Sequence, residues 1–386
     1  MNVRILFALP LLAIACSSNN GPGPASQCTL SSSGAARVGT PVGLKIRMLD
    51  VKGKPAIGYT GSVALTSTDA KAIFDNGGAF TADDAGAKAV AAELGTASGS
   101  PVVITATDSA NPAITCTTNV VVSAGPATAF TVALATNVNA GSPTPLTVTA
   151  VDEQGNTAAS FTGAVAFTST DTKATLPAGA TFAASDNGVK VLSATLQTMG
   201  AQNVTATGGG VVSAGATTVH GLTYVNPTGG TLQLVADASS TPGSVVLKLV
   251  PTVALSGSSA GFNLPLDSSK VALDATTPIA NGSALNLGAG PAALKAVIPA
   301  AGPLAGKLVA GVAQKGYDAG AVVPDASIKT TDSLLTVKLS PTSAGTPGVV
   351  FDGAALAAGF SAGLRDRAGN ELVRSTQVAI GKLVLQ

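Results

Sequence analysis

The sequence predicts an all-β chain built from tandem β-sandwiches, and three observations support this prediction. First, the chain of 386 residues is rich in Gly, Ala, Ser, Thr and Val and has only 3% aromatic residues, a composition typical of short strands joined by tight turns. Second, apolar and polar residues alternate in several short segments, as in 41–50. Third, a block of thirteen residues occurs twice, as YTGSVALTSTDAK at 59–71 and as FTGAVAFTSTDTK at 161–173. Nine of its positions are identical and the offset is 102 residues, so one strand-and-turn unit is used twice.

The N-terminal segment predicts export and attachment to a membrane. Met1–Arg4 carries one positive side chain, and the apolar run Ile5–Ala15 is too short to span a bilayer. The run ends in Ala-Ile-Ala before Cys16, which resembles the signal peptide and lipobox of a bacterial lipoprotein, although Ala13 stands where leucine is usual. This resemblance implies cleavage after residue 15 and acylation of Cys16, which would anchor the protein in a lipid bilayer. The alternative is an ordinary secretory signal followed by a chance cysteine.

The segment 16–27 has no apolar periodicity and reads as a flexible tether. The two remaining cysteines, Cys28 and Cys116, lie near the two ends of the first repeat. Exported proteins occupy an oxidising compartment, so a disulfide bond between these two residues is predicted. Two buried thiols are the alternative.

The two repeats are predicted to fold as separate sandwiches over 28–124 and 125–222. In the first repeat, Val42, Leu44, Ile46 and Met48 alternate with small or charged residues, which is the pattern of a half-buried strand. The second repeat follows the same order at offsets near 102, and its length changes fall in late loops. A period near 100 residues with about seven short strands is typical of an immunoglobulin-like sandwich.

These repeats resemble the bacterial immunoglobulin-like domains of invasin- and intimin-type adhesins. The resemblance rests on an Asp-x-x-Gly turn, a strand with F/Y-T-G-x-V-x-F/L-T-S-T-D, and the later segment NGVKVLSATLQTMGAQNVTAT. It implies the fold of residues 28–222 and an adhesive or stalk-like role, since such domains serve many functions.

The C-terminal part, 223–386, does not continue the repeat. Its segments 260–267 (AGFNLPLD) and 270–273 (KVAL) resemble a cohesin-like domain, which is a jelly-roll β-sandwich. The resemblance implies a non-catalytic binding module and a protein ligand, which in cohesins is a dockerin. No binding residues are transferred from that family. Carbohydrate is less favoured as the ligand, because the chain has no Trp to stack on sugar rings.

The residues that could carry chemistry are few. His220 is the single histidine, and it lies where the second repeat meets the C-terminal part, so we expect a packing or surface role. Carboxylates recur at turns, for example Asp152 and Asp366, and we interpret them as turn residues rather than calcium ligands, because no DxDxDG loop is present. We therefore expect no enzyme activity, no cofactor and no metal site. The formal net charge of +1 offers no basic patch for nucleic acid.

Together these features predict a lipid-anchored protein of the bacterial envelope, in the outer membrane or at the cell surface, in which the repeats display the C-terminal module. Two other functions stay open at this point. The repeats themselves could be the adhesive part, or the whole chain could be a structural spacer of the envelope.

Overall fold

The computed structural model describes residues 22–75, 78–285, 293–314, 317–318, 321–342, 346–356 and 360–386, and it is all-β, as the sequence predicts. Its contacts divide the chain into two compact units. Unit 1 comprises Met1–Ala127 and Val151–Ala158, and unit 2 comprises Thr128–Ala150 and Ala159–Gln386. The domain boundaries near 124 and 222 remain predictions. No helix among the described residues is both long and apolar enough to cross a membrane.

The first repeat, in unit 1, contains nine strands and one short 3-10 turn. In chain order they are Gln27–Ser32 (β1), Ala36–Arg37 (β2), Val42–Leu49 (β3), Val63–Ser67 (β4), Ile73–Phe74 (β5), the 3-10 turn Ala82–Asp84, Ala87–Glu93 (β6), Val102–Asp108 (β7), Thr115–Val120 (β8) and Val122–Ser123 (β9). One sheet has the order β1-β3-β6-β5 and the other β4-β7-β8, while β2 pairs in parallel with β9. The two larger sheets share one apolar core, so the repeat is a β-sandwich.

Strand β3 shows how the alternating pattern builds this core. Val42, Leu44, Ile46 and Met48 are all buried, and the residues between them are exposed. In contrast, strand β4 begins only at Val63, so the preceding residues of the repeated block form its approach rather than the strand itself. Burial of these aliphatic side chains against the facing sheet is the main favourable contribution to folding.

The second repeat follows a similar order with two differences: β14 pairs with β13, whereas β5 pairs with β6, and the single strand β17 takes the place of β8 and β9. Its elements are Ala129–Ala133 (β10), Asn137–Asn139 (β11), Pro143–Val151 (β12), Gly163–Ser169 (β13), Ala180–Phe182 (β14), the 3-10 turn Ala184–Asp186, Val189–Thr195 (β15), Gly200–Gly208 (β16) and Val211–His220 (β17). The sheets are β10-β12-β15 and β11-β17-β16-β13-β14.

The C-terminal part forms a larger sandwich with its own core. Its strands are Leu222–Val225 (β18), Leu232–Ala236 (β19), Val245–Pro251 (β20), Leu255–Gly257 (β21), Ser259–Pro265 (β22), Val271–Leu273 (β23), Ile279–Asn281 (β24), Ala293–Val297 (β25), Lys307–Ala313 (β26), Tyr317–Asp318 (β27), Ala321–Val322 (β28), Ala326–Ile328 (β29), Leu335–Pro341 (β30), Gly348–Asp352 (β31), Ser361–Arg365 (β32), Glu371–Val373 (β33), Val378–Ile380 (β34) and Lys382–Leu385 (β35). Gly353–Ala355 and Ser375–Gln377 are 3-10 turns.

Two sheets form the faces of this sandwich. One has the order β23-β30-β20-β19-β34, with β24 also paired to β30, and the other has the order β25-β26-β22-β32-β33. A third sheet, β18-β35-β31, completes it. The chain therefore leaves one sheet and enters another at Gly381, between β34 and β35.

Candidate functional site

The sequence-predicted sites lie in different parts of the chain. Cys16, the predicted lipidation site, lies outside the described residues. Cys28 and Cys116 form a disulfide bond, with their Cα atoms 5.7 Å apart. Because β1 and β8 belong to different sheets, this bond ties the two faces of the first sandwich together.

The second repeat has a phenylalanine where the first has a cysteine of its disulfide, and this ring joins an aromatic pair that both repeats share, Tyr59–Phe80 in the first and Phe161–Phe182 in the second. Phe130 occupies the position that corresponds to Cys28 at the offset of 102 residues. Its ring packs edge-to-face on Phe161, with centroids 5.4 Å apart, and Phe161 packs on Phe182 at 5.3 Å. Phe130 and Phe182 are buried, so apolar packing takes the place of the covalent tie.

His220 is half-buried at the end of β17 and has a structural environment. Its Nδ1 lies 3.0 Å from the backbone oxygen of Gln386, and its Nε2 lies 3.1 Å from Oδ1 of Asn137. The ring therefore links β17 to β11 and to the end of β35 and orders the chain at this junction in unit 2.

The turn carboxylates bind backbone amides. Asp152 is buried, and its Oδ1 accepts hydrogen bonds from the N–H groups of Gln154 and Asn156, while its Oδ2 accepts one from Gly125. Burial alone would raise the pKa of Asp152, but these hydrogen bonds together hold it below its usual range. Among the described residues, no group of three His, Cys, Asp or Glu side chains is placed to hold a metal ion.

Large apolar side chains that are exposed on the C-terminal sandwich are scattered. They are Val225, Val253, Val322, Val349 and Leu372. Scattered exposed apolar residues are common on soluble proteins and do not mark an interface. An extended apolar patch therefore does not define a binding surface on the described part of this sandwich.

A concave feature of the same sandwich is more informative. A groove of about 310 Å³ runs across the outer face of the sheet β25-β26-β22-β32-β33. Gly261 and Gly363 line its floor. Gly261 pairs with Gly363 on one side and with Gly311 on the other, so Gly311 extends the row of glycines beside the groove. Lys295 of β25 continues this row beyond Gly311, and the neighbouring rows stand above the glycines as walls.

The walls of the groove are polar at both sides. On one side Ser259 lies between Ala313 and Arg365, and Arg365 forms an ion pair with Glu371 at 3.2 Å. On the other side Asn263 lies between Val309 and Ser361. The groove thus offers hydroxyl, amide, guanidinium and carboxylate groups around a flat floor. The residues described as lining it include a single carboxylate, whereas glycoside hydrolysis usually needs two.

Gly311 has no steric need to be glycine. A Cβ atom built on it would lie 3.6 Å from the nearest atom, the carbonyl oxygen of Ala260, which is an ordinary contact. By contrast, a Cβ on Gly261 or Gly363 would approach a carbonyl oxygen to 2.8 or 2.3 Å. Gly311 in the interior of a strand weakens that strand, so its presence is best explained by the space it leaves open above the sheet.

The sequence contains a local signal for this groove. All three glycines follow an alanine and precede an apolar residue, in the segments 260–262, 310–312 and 362–364, and in each the flanking pair is buried. The alternating pattern places the glycines outward. However, only the strand pairing brings them side by side.

Comparisons with known proteins give limited likenesses. No family model and no curated protein match this sequence. Among solved structures, the chain is similar to FdeC, an adhesin of Escherichia coli, with 17% identity and a TM-score of 0.34, over 82% of this chain and 99% of that one. It is also similar to the adhesin InvE of Yersinia pseudotuberculosis, with 16% identity and a TM-score of 0.26, over 57% of this chain and 66% of that one. A third similar structure is a putative membrane anchored protein of Corynebacterium diphtheriae, with 14% identity and a TM-score of 0.23, over 92% of this chain and 90% of that one. Likeness at this level says nothing about what the present chain binds.

Proposed function

We propose that this protein is a non-catalytic, lipid-anchored surface protein of the adhesive or binding type. Its immunoglobulin-like repeats display the C-terminal sandwich, and the glycine-floored groove of that sandwich binds the ligand. The observation that carries this proposal is the row of three glycines along the groove, in which Gly311 has room for a side chain that is absent.

The lining of the groove supports binding rather than catalysis. Arg365 and Glu371 are paired with one another and both remain substantially exposed, with 56% and 44% of their side chains accessible. Such a pair can exchange its partner for a charged group on a ligand. A paired carboxylate without a second acid or a histidine nearby is poorly suited to proton transfer.

The ligand we favour is a protein segment. A flat floor with polar walls accepts an extended backbone or a small side chain, and the hydroxyl and amide groups of Ser259, Asn263 and Ser361 can bond with peptide groups. A dockerin-like protein, as the resemblance of 223–386 implies, is one such partner. Sugar binding is less favoured, since none of the described residues lining the groove is an exposed aromatic.

The test uses the mature chain as bait with extracts of the producing organism and its neighbours. Gly311→Trp places a bulky side chain beside the groove at a position where a Cβ atom makes only ordinary contacts, and Ala272→Trp, on the exposed side of β23 in the opposite sheet, is the matched control. We expect a partner that is retained by the wild type and by Ala272→Trp and lost with Gly311→Trp. Equal capture by all three chains would place binding elsewhere, on the repeats, and capture of nothing would favour a spacer.

A further inference from the structure

The first and second repeats carry the same hairpin turn with different side chains. In the first repeat, Asp50 Oδ1 accepts hydrogen bonds from the N–H groups of Lys52 and Lys54, at 2.8 and 2.9 Å. Asp152 does the same with Gln154 and Asn156, at 3.0 and 2.8 Å. The backbone of the turn is therefore equivalent in both repeats, and any difference in function must come from its side chains.

The turn of the second repeat, 152–156, binds residues of the first repeat within unit 1. In unit 1, Asn156 Oδ1 accepts a hydrogen bond from the N–H of Ala97 at 3.1 Å, and its Nδ2 donates to the carbonyl oxygen of Gly95 at 3.0 Å. The Nζ of Lys71 donates to the carbonyl oxygen of Gln154 at 2.9 Å. An amide side chain is well suited to this contact, because it pairs with backbone groups of either kind.

The first turn presents a different chemistry. The residues that correspond to Glu153, Gln154 and Asn156 are Val51, Lys52 and Lys54, and all three are exposed. Val51 is 81% exposed, the highest value among the exposed large apolar side chains of the described residues. Together they form a tip with one apolar residue followed by two cations, which fits the interface of an anionic membrane.

The course of the chain places this tip close to the proposed anchor. The N–H of Gly23 donates to Asp50 Oδ2 at 3.0 Å, so the chain enters the first repeat directly beside the turn. Only seven residue steps separate Gly23 from Cys16 in the sequence. Even fully extended, they reach about 25 Å.

We propose that the tip Val51–Lys54 contacts the lipid headgroups of the membrane to which Cys16 is anchored. The proposal rests on the lipid anchor of the proposed function and adds an orientation to it. The lysines face anionic headgroups, and Val51 reaches the interface. Asp83, exposed in the adjacent 3-10 turn, opposes the attraction, while Asp84 is paired with Lys88 at 3.2 Å. The acyl chains hold the protein, and the lysines determine which end of the first repeat faces the lipid.

The absence of tryptophan from the sequence makes a clean test possible. Val51→Trp gives one fluorescent probe at the tip. Val121→Trp gives the control, because Val121 is 59% exposed and follows β8 at the opposite end of the same sandwich. Each acylated full-length variant is reconstituted into vesicles of phosphatidylglycerol and phosphatidylcholine that contain brominated phosphatidylcholine as a quencher.

We expect strong quenching of the probe at 51 and little at 121. The substitutions Lys52→Gln and Lys54→Gln, added to Val51→Trp, should reduce the quenching at least about twofold, and so should molar salt, which shortens the Debye length to about 3 Å. The same double change at Lys45 and Arg47, which are exposed on β3, should leave it unaltered. In vesicles of pure phosphatidylcholine, the quenching of the probe at 51 should be reduced as it is at high salt.

Two failures can be told apart by the mass of the N-terminal peptide. If acyl groups are absent, the anchor is contradicted, and the orientation with it, because nothing else holds the tip near lipid. If acyl groups are present but the probes at 51 and 121 are quenched equally, the orientation alone is overturned. Quenching at 51 that stays the same when both lysines are replaced and when salt is added also overturns the proposal, because the lysines would then make no contact with the headgroups.

Discussion

The two repeats share a backbone plan and differ in how their sheets are held together. The first joins β1 to β8 through the Cys28–Cys116 disulfide, and the second places Phe130 at the corresponding position, within a cluster of three phenylalanines. Three turn carboxylates of the first repeat, Asp50, Asp69 and Asp84, have counterparts in the second, Asp152, Asp171 and Asp186. This difference teaches that the turns define the fold, whereas the tie between the sheets can be covalent or apolar.

The largest effect should follow removal of the covalent tie. Replacing both Cys28 and Cys116 by Ala should lower the free energy of unfolding of the first repeat by about 4–5 kcal/mol in the chain-entropy model, because the bond closes a loop with a sequence separation of 88 residues. Hydrogen exchange resolved along the sequence checks this. An equal loss of protection in the second repeat would contradict the view that each repeat is held together by its own link between the sheets.

The aromatic tie should be nearly as important. Phe130→Ala should lower the stability of the second repeat by about 3–5 kcal/mol, through lost burial and the cavity that is left. Denaturant unfolding with and without reductant provides the measurement. Reductant should weaken only the first repeat, and Phe130→Ala should weaken only the second. An unchanged second repeat in Phe130→Ala would show that the cluster has no such role.

Acid should lower the stability of the two repeats alike, and the loss should be small at moderate pH. Burial alone would raise the pKa values of Asp69 and Asp171, but hydrogen bonds from Thr96 and Thr198, respectively, and from nearby amides lower both below 3.8. A lowered pKa means that this stabilisation is complete well above pH 3.8 and is lost as the pH falls below it. Thermal unfolding between pH 6 and pH 2 should therefore show parallel losses, and Asp171→Asn should flatten the loss in the second repeat only.

The sequence predicts features that depend on local pattern, and it does not predict the groove. The repeated block and the alternating residues of β3 are recognisable within short segments of the sequence. Cys28 and Cys116 leave only one choice of partner for each other. Gly261, Gly311 and Gly363 lie about 50 residues apart, and their alignment depends on which strands pair and in which register. Many pairings satisfy the same alternation, so the row of glycines becomes visible only in the folded sheet. The break at Gly381 has the same cause, because the pattern on both sides of it is that of a strand.

The most direct test of the central claim is the affinity of the captured partner for the mature chain, measured by titration with the wild type, Gly311→Trp and Ala272→Trp. If the groove is the binding surface, Gly311→Trp should weaken the affinity at least about 30-fold, since a central contact contributes 2 kcal/mol or more, and Ala272→Trp should leave it unchanged. Equal affinity of all three chains would contradict the assignment of the groove.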